Sequence, residues 1–91
     1  MILKNKNIVI SAGGSGIGLA TAKILQSRGA RVFLCDINET FINKINNNKK
    51  YKNKIFSFVC DANNEDAVIN FFKKIKKITS KIDCLINNVG I

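Results

Sequence analysis

Four of the six glycines in this 91-residue chain fall inside one eight-residue window, Ser11-Ala12-Gly13-Gly14-Ser15-Gly16-Ile17-Gly18. The window follows the apolar run Ile8-Val9-Ile10 and opens a segment with helical spacing of apolar residues. A glycine turn joining a buried strand to a helix has a specific use: it removes the side chains that would keep a ligand from backbone N–H groups. The next apolar run then ends on an acid, Asp36. Strand, glycine turn, helix, strand and carboxylate in that order build a site for a dinucleotide.

The rest of the chain extends the same alternation. Asn7 to Ser11 reads as a first strand, short and continuously apolar, as in a parallel sheet covered on both faces. Gly16 to Arg28 reads as a first helix, with Ile17, Ala20, Thr21, Ile24 and Leu25 on its apolar face and Gly29 as its C-terminal cap. Arg31 to Cys35 reads as a second strand. A second helix starts at Asp36 or Asn38, places Phe41, Ile42 and Ile45 inward, and fades into Asn46-Asn47-Asn48-Lys49-Lys50, expected to be a solvated surface loop.

Lys54 to Cys60 reads as a third strand. A third helix follows, capped within Asn64-Glu65-Asp66, with Val68, Phe71, Phe72, Ile75 and Ile78 at helical spacing. Cys84-Leu85-Ile86 supplies a fourth strand entered through Asp83. Helical crossovers of this length require parallel strands and right-handed connections. The expected fold is α/β: a partial Rossmann-type doubly wound parallel sheet, βαβαβαβ, with strand order 3-2-1-4, in one partial domain over residues 1–91.

Composition narrows the functional classes. Fifteen basic residues face six acidic ones, for a net charge of +9. The lysine-rich stretches Lys49–Lys54 and Lys73–Lys77 read as solvated faces of an ordinary αβ unit, and no motif supports a specific nucleic-acid partner. With no histidine and no Cys-x-x-Cys pair, a Cys/His zinc site is excluded. Cys35, Cys60 and Cys84 are expected as buried free thiols of a reducing compartment, and the location as cytoplasmic. No stretch reaches membrane-spanning length, so no membrane partner is expected.

The glycine turn carries a charge logic. Gly13, Gly14, Gly16 and Gly18 suit a pyrophosphate lying on a helix N-terminus, where backbone donors and the helix dipole favour negative charge. Gly16 lets the cofactor approach and Gly18 permits close helix–strand packing, while Ser15 offers a hydroxyl; the alternative is a glycine turn with no ligand. Asp36 can accept both ribose hydroxyls of the adenosine, or merely cap the second helix. A carboxylate there repels a 2′-phosphate, and no basic residue stands within Gly13 to Ser15 or directly after Asp36, so NAD is expected over NADP. Asp61-Ala62 ends the third strand, beside the adenine or as a turn. Asn87, Asn88 and Gly90 end the fourth, beside the cofactor ribose or as a turn.

These motifs together resemble the N-terminal half of the short-chain dehydrogenase/reductase family. The family pattern Thr-Gly-x-x-x-Gly-x-Gly is matched by Ser11 to Gly18, its acid after the second strand by Asp36, its Asp before a small residue by Asp61-Ala62, and its Asn-Asn-Ala-Gly by Asn87-Asn88-Val89-Gly90. Ala12 replaces the first motif glycine, and Val89 replaces the motif alanine. The resemblance implies cofactor contacts at Ser11, Gly13, Gly14, Ser15, Gly16, Ile17, Gly18, Asp36, Ile37, Asp61, Ala62, Asn88, Val89 and Gly90.

It also implies hydride transfer between a nicotinamide and an alcohol or carbonyl substrate. The family's catalytic serine, tyrosine and lysine lie downstream of the Asn-Asn motif and have no counterpart here. Tyr51, the single tyrosine, stands before the third strand and is not assigned to catalysis. The expectation is therefore a fragment, inactive alone, that meets a small substrate only when the other half is supplied. The alternative is a non-catalytic nucleotide- or partner-binding remnant. An open fourth-strand edge is expected to favour self-association.

Overall fold

The structure, a computed structural model, describes residues 2–11 and 15–87; the side chain of Ser15 is not among what it describes. Four strands, β1 (Asn7–Ser11), β2 (Arg31–Asp36), β3 (Ile55–Val59) and β4 (Cys84–Asn87), alternate with three helices, α1 (Ser15–Ser27), α2 (Glu39–Asn46) and α3 (Glu65–Lys76). The sheet is parallel with order β3-β2-β1-β4, as the crossover argument requires. The β3 ladder continues past its ends: Val32 N–H donates to Lys54 O and Cys60 N–H to Asp36 O, both at 2.9 Å.

Alternation along the two central strands sorts the core into two layers. Ile8, Ile10, Val32 and Leu34 face one side, where Ala22, Ala30, Ile45, Tyr51 and Ile55 pack against them. Val9, Phe33 and Cys35 face the other, against Cys60, Phe71 and Ile75. Thus α1 and α2 cover one face and α3 the other, the doubly wound arrangement. Phe33 stacks on its register partner Phe56 with ring centroids 5.0 Å apart, and Phe58 meets Phe71 edge-on at 5.7 Å.

Helix ends follow the chemistry of their caps. Asn38 and Asn64 each accept a backbone N–H three residues on, from Phe41 and Ala67, both at 3.0 Å. At the end of α1, Gly29 has φ 98°; Ala30 N–H donates to Leu25 O and Gly29 N–H to Gln26 O, closing the last turn in a Schellman arrangement.

Three expectations are corrected. The buried face of α1 is not the isoleucine stripe: Ile17 and Ile24 are 74% and 59% exposed, while Gly18 and Ala22 are buried. Close helix–sheet approach selects small residues, and only the partly buried Leu19 and Leu25 flank them. The Asn46–Lys50 stretch is not a plain loop. Lys49–Tyr51 forms a 3₁₀ turn capped by Asn48 that buries Tyr51, and Asn46 bonds to Ser57. Cys35 and Cys60 are buried, but Cys84 is exposed, because β4 lies at the sheet margin with Leu85 56% exposed.

Candidate functional site

The C-terminal ends of β1, β2, β3 and β4 lie together at one end of the sheet, the end where open α/β sheets bind ligands. Around them the local sequence sets each group. Ser11 closes β1, and its hydroxyl donates to Asn87 Oδ1 at 3.0 Å, tying the ends of β1 and β4 together. Ala12, Gly13 and Gly14 fall outside the described residues. Backbone helix begins at Ser15, so Gly16 and Ile17 stand in the first turn of α1, where free N–H groups and the dipole favour an anion. Among the described residues, a Cβ built on Gly16 would meet nothing within 4 Å. Gly18, one position further, is buried against the sheet.

Asp36 ends β2 and is the most informative side chain at this end. It is only 5% exposed. Its Oδ1 accepts the Asn38 N–H at 2.9 Å, which fixes the carboxylate, and Asn38 rather than Asp36 caps α2. Its Oδ2 is buried without a hydrogen-bond partner among the described residues. A buried carboxylate oxygen lacking a donor is costly, and such a group calls for a ligand that brings one. Ile37, next in sequence, is exposed beside it. The orienting role of Asn38 N–H was hidden in the sequence behind the residue's evident role as a cap.

At the end of β3, Asp61 Oδ1 accepts the Asn63 N–H at 2.9 Å, closing a local turn. Its neighbour Ala62 is half-buried against the Phe71 layer. Ser11, Asn63 and Asn87, with the apolar Ala62, Val68, Phe72 and Leu85, line a cleft of about 400 Å³. Asn88, Val89 and Gly90 fall outside the described residues. The structure therefore brings Ser11, Gly16, Ile17, Gly18, Asp36, Ile37, Asp61 and Ala62 to one end of the sheet. Among the described residues no cluster of three or more His, Cys, Asp or Glu is disposed to hold a metal, and no helix is long and apolar enough to cross a membrane.

Comparison with known proteins places this geometry. The family model described as short chain dehydrogenase matches residues 6–91. An uncharacterised oxidoreductase of Bacillus subtilis, YxbG, is 37% identical over 90 residues, covering 98% of this chain and 33% of that protein. Among solved structures, 2-keto-3-deoxy-D-gluconate dehydrogenase from Streptococcus agalactiae aligns with a TM-score of 0.81 at 35% identity over 98% of this chain and 34% of its own. A xylitol dehydrogenase solved with NAD+ bound aligns with a TM-score of 0.79 at 34% identity over 96% of this chain and 34% of its own. The chain spans about a third of the length of the curated relatives it matches. Fold and relatives alike point to a dinucleotide-binding site. Matched over nearly its whole length and carrying that family's sheet order, the chain belongs to the short-chain dehydrogenase family.

Proposed function

We propose that residues 1–91 are one partial domain supplying the dinucleotide-binding part of an NAD-linked oxidoreductase, which transfers hydride between a nicotinamide and an alcohol or carbonyl carbon. The observation that carries this reading is Asp36: buried, fixed by Asn38 and left with Oδ2 unpartnered among the described residues. Adenosine ribose hydroxyls are donors of the kind that oxygen lacks, whereas a 2′-phosphate brings negative charge against it. No lysine or arginine stands in residues 13–15 or directly after Asp36 to offset that repulsion, which favours NAD over NADP.

The remaining roles follow the ends of the strands. Gly13, Gly14, Ser15, Gly16 and Ile17 would hold the pyrophosphate at the start of α1, with Gly18 allowing α1 to lie close to the sheet. Ser11 holds Asn87 in place. Ile37 flanks the adenosine, Asp61 and Ala62 border the adenine, and Asn88, Val89 and Gly90 border the nicotinamide side. When bound, the nicotinamide carries the hydride. A small alcohol or carbonyl substrate is held by residues that correspond to the other two thirds of the relatives.

Titration of the chain with NAD+ and with NADP+, for the wild type and for Asp36→Asn, tests the reading. The wild type should bind NAD+ more tightly than NADP+. Asn keeps the shape of the side chain but lacks its charge, so the preference should shrink at least about tenfold, or about 1.4 kcal/mol. Equal affinity for both dinucleotides in the wild type, or a preference untouched by Asp36→Asn, would refute it.

A further inference from the structure

Charge in this fold is sorted by end. With parallel strands and returning helices, strand C-termini and helix N-termini share one end, and strand N-termini and helix C-termini share the other. Five of the six acidic residues lie at the first: Asp36 and Asp61 at the ends of strands, Glu39, Glu65 and Asp66 in the first turns of α2 and α3. The sixth, Asp83, lies at the second, where it pairs with Lys81 at 3.3 Å. Basic residues run the opposite way. Lys4 and Lys6 precede β1, Arg28 follows α1 and Arg31 opens β2, the Lys49–Lys54 run precedes β3, and the Lys73–Lys77 run ends α3. Backbone bonds hold several of these segments side by side: Arg31 N–H donates to Lys6 O at 2.8 Å, and Leu3 N–H to Arg28 O at 3.2 Å.

Helix dipoles account for only part of this. Lys44, Lys73, Lys74 and Lys76 complement helix C-termini. Lys6 and Lys54 directly precede strands and Arg31 opens one, outside the last turns of the three helices. Lys81–Asp83 is the one ion pair among the described residues, so this end keeps its positive charge.

We infer that this basic end, opposite the dinucleotide site, docks on the phosphate backbone of a nucleic-acid duplex without reading its sequence. Lysines supply point charges suited to phosphate, not the fixed forks that discriminate base edges. Tyr51, the aromatic residue of the Lys49–Lys54 run, is 7% exposed and offers no stacking platform for bases. Of the apolar residues described at this end, Ile2 is 89% exposed, while Ile82 and Ile78 are 39% and 36% exposed, too little to make a continuous apolar face. A lipid surface needs a broader apolar face beneath the charges. The inference goes beyond the proposed oxidoreductase function and does not rest on it.

Fluorescence anisotropy of a labelled duplex of about 20 base pairs, with NAD+ present in excess, tests it. Engagement of about six phosphates predicts an affinity loss of about 10³-fold between 50 and 200 mM salt. Replacing Lys73, Lys74, Lys76 and Lys77 by Gln should cut the salt slope by about three to four, and replacing them by Arg should preserve it. The same Gln exchange at Lys49, Lys50, Lys52 and Lys54 keeps the test open should the first variant fail to fold. Glu39→Gln with Glu65→Gln raises net charge at the far end and should leave affinity within about twofold. Absence of binding at low salt, competition by NAD+, affinity that follows net charge regardless of position, or tighter binding to phosphatidylserine vesicles than to duplex would each overturn the inference.

Discussion

Asp83 and Asn7 are joined twice across 76 residues: Asp83 N–H donates to Asn7 O at 2.8 Å, and Asn7 N–H donates to Asp83 Oδ2 at 2.8 Å. Asn7 is buried, and its side chain extends the junction, receiving Arg31 Nε at 2.9 Å and donating to Thr79 Oγ1 at 3.0 Å. One short network thus sets the starts of β1, β2 and β4 in register. It leaves a titration signature. The Asn7 N–H, with smaller help from Lys81 and Lys6, holds the Asp83 carboxyl below its ordinary value of 3.8. A depressed carboxylate contributes stability that is present above its unfolded pKa and is lost as pH falls through the folded one. Asp83→Asn should therefore be less stable than the wild type at neutral pH, with the gap closing as pH falls below 3.8. Denaturant midpoints at several pH values decide it; a gap that does not vary with pH would rule the linkage out.

Gly16→Ala separates ligand approach from folding. The added methyl group meets none of the described residues and sits in helical backbone, so the helix should gain about 0.5–1 kcal/mol. The same methyl group stands over the turn proposed to receive the pyrophosphate. A variant with a raised melting temperature and weakened NAD+ binding is the expected pair of results. Unchanged NAD+ affinity would remove Gly16 from the site.

The two sides of α1 make a second contrast. Ala22 is fully buried against β2, so Ala22→Leu overpacks the interface and should cost about 1–3 kcal/mol. Ile24 is mostly exposed, so Ile24→Ala should stay within about 0.5 kcal/mol of the wild type in a thermal melt. Reversal of that order would mean that the isoleucine stripe is the packed face.

The same helix marks where the sequence stops being legible. Sheet order and helix caps could be read because they rest on local chemistry: continuous apolar runs, crossover length, and Asn38 and Asn64 ahead of apolar periodicity. The inward face of α1 could not, since hydrophobicity ranks Ile17 and Ile24 above Gly18 and Ala22, whereas close approach to the sheet ranks them the other way. Burial of all three thiols failed for a related reason: Cys84 sits in an apolar run, but its strand is at the margin. At the candidate site, the position of Asp36 was legible from its place at the end of an apolar run. Its pairing with Asn38 and its unpartnered oxygen were not, because they depend on the path of the chain after β2. Gly13, Gly14, Asn88, Val89 and Gly90 stand on the sequence motifs alone.

Asn46 shows how a residue in a low-complexity stretch acquires a specific task. Lys54 O and Cys60 N–H point toward β2, so alternate residues of β3, Ser57 among them, direct their backbone groups outward from the sheet. Asn46 Nδ2 donates to that outward Ser57 carbonyl at 3.1 Å, and Ser57 Oγ donates back to Asn46 Oδ1 at 2.6 Å. The pair satisfies a buried hydroxyl and covers an edge carbonyl that would otherwise accept a strand from another molecule. Asn46→Ala should cost about 1–3 kcal/mol, because Ser57 is left short of partners. Ser57→Ala in the same background should cost little more, giving a coupling energy of about 0.5–3 kcal/mol in a double-mutant cycle. Additive losses would mean that the two side chains act independently, and that Asn46 does not guard the β3 edge through Ser57.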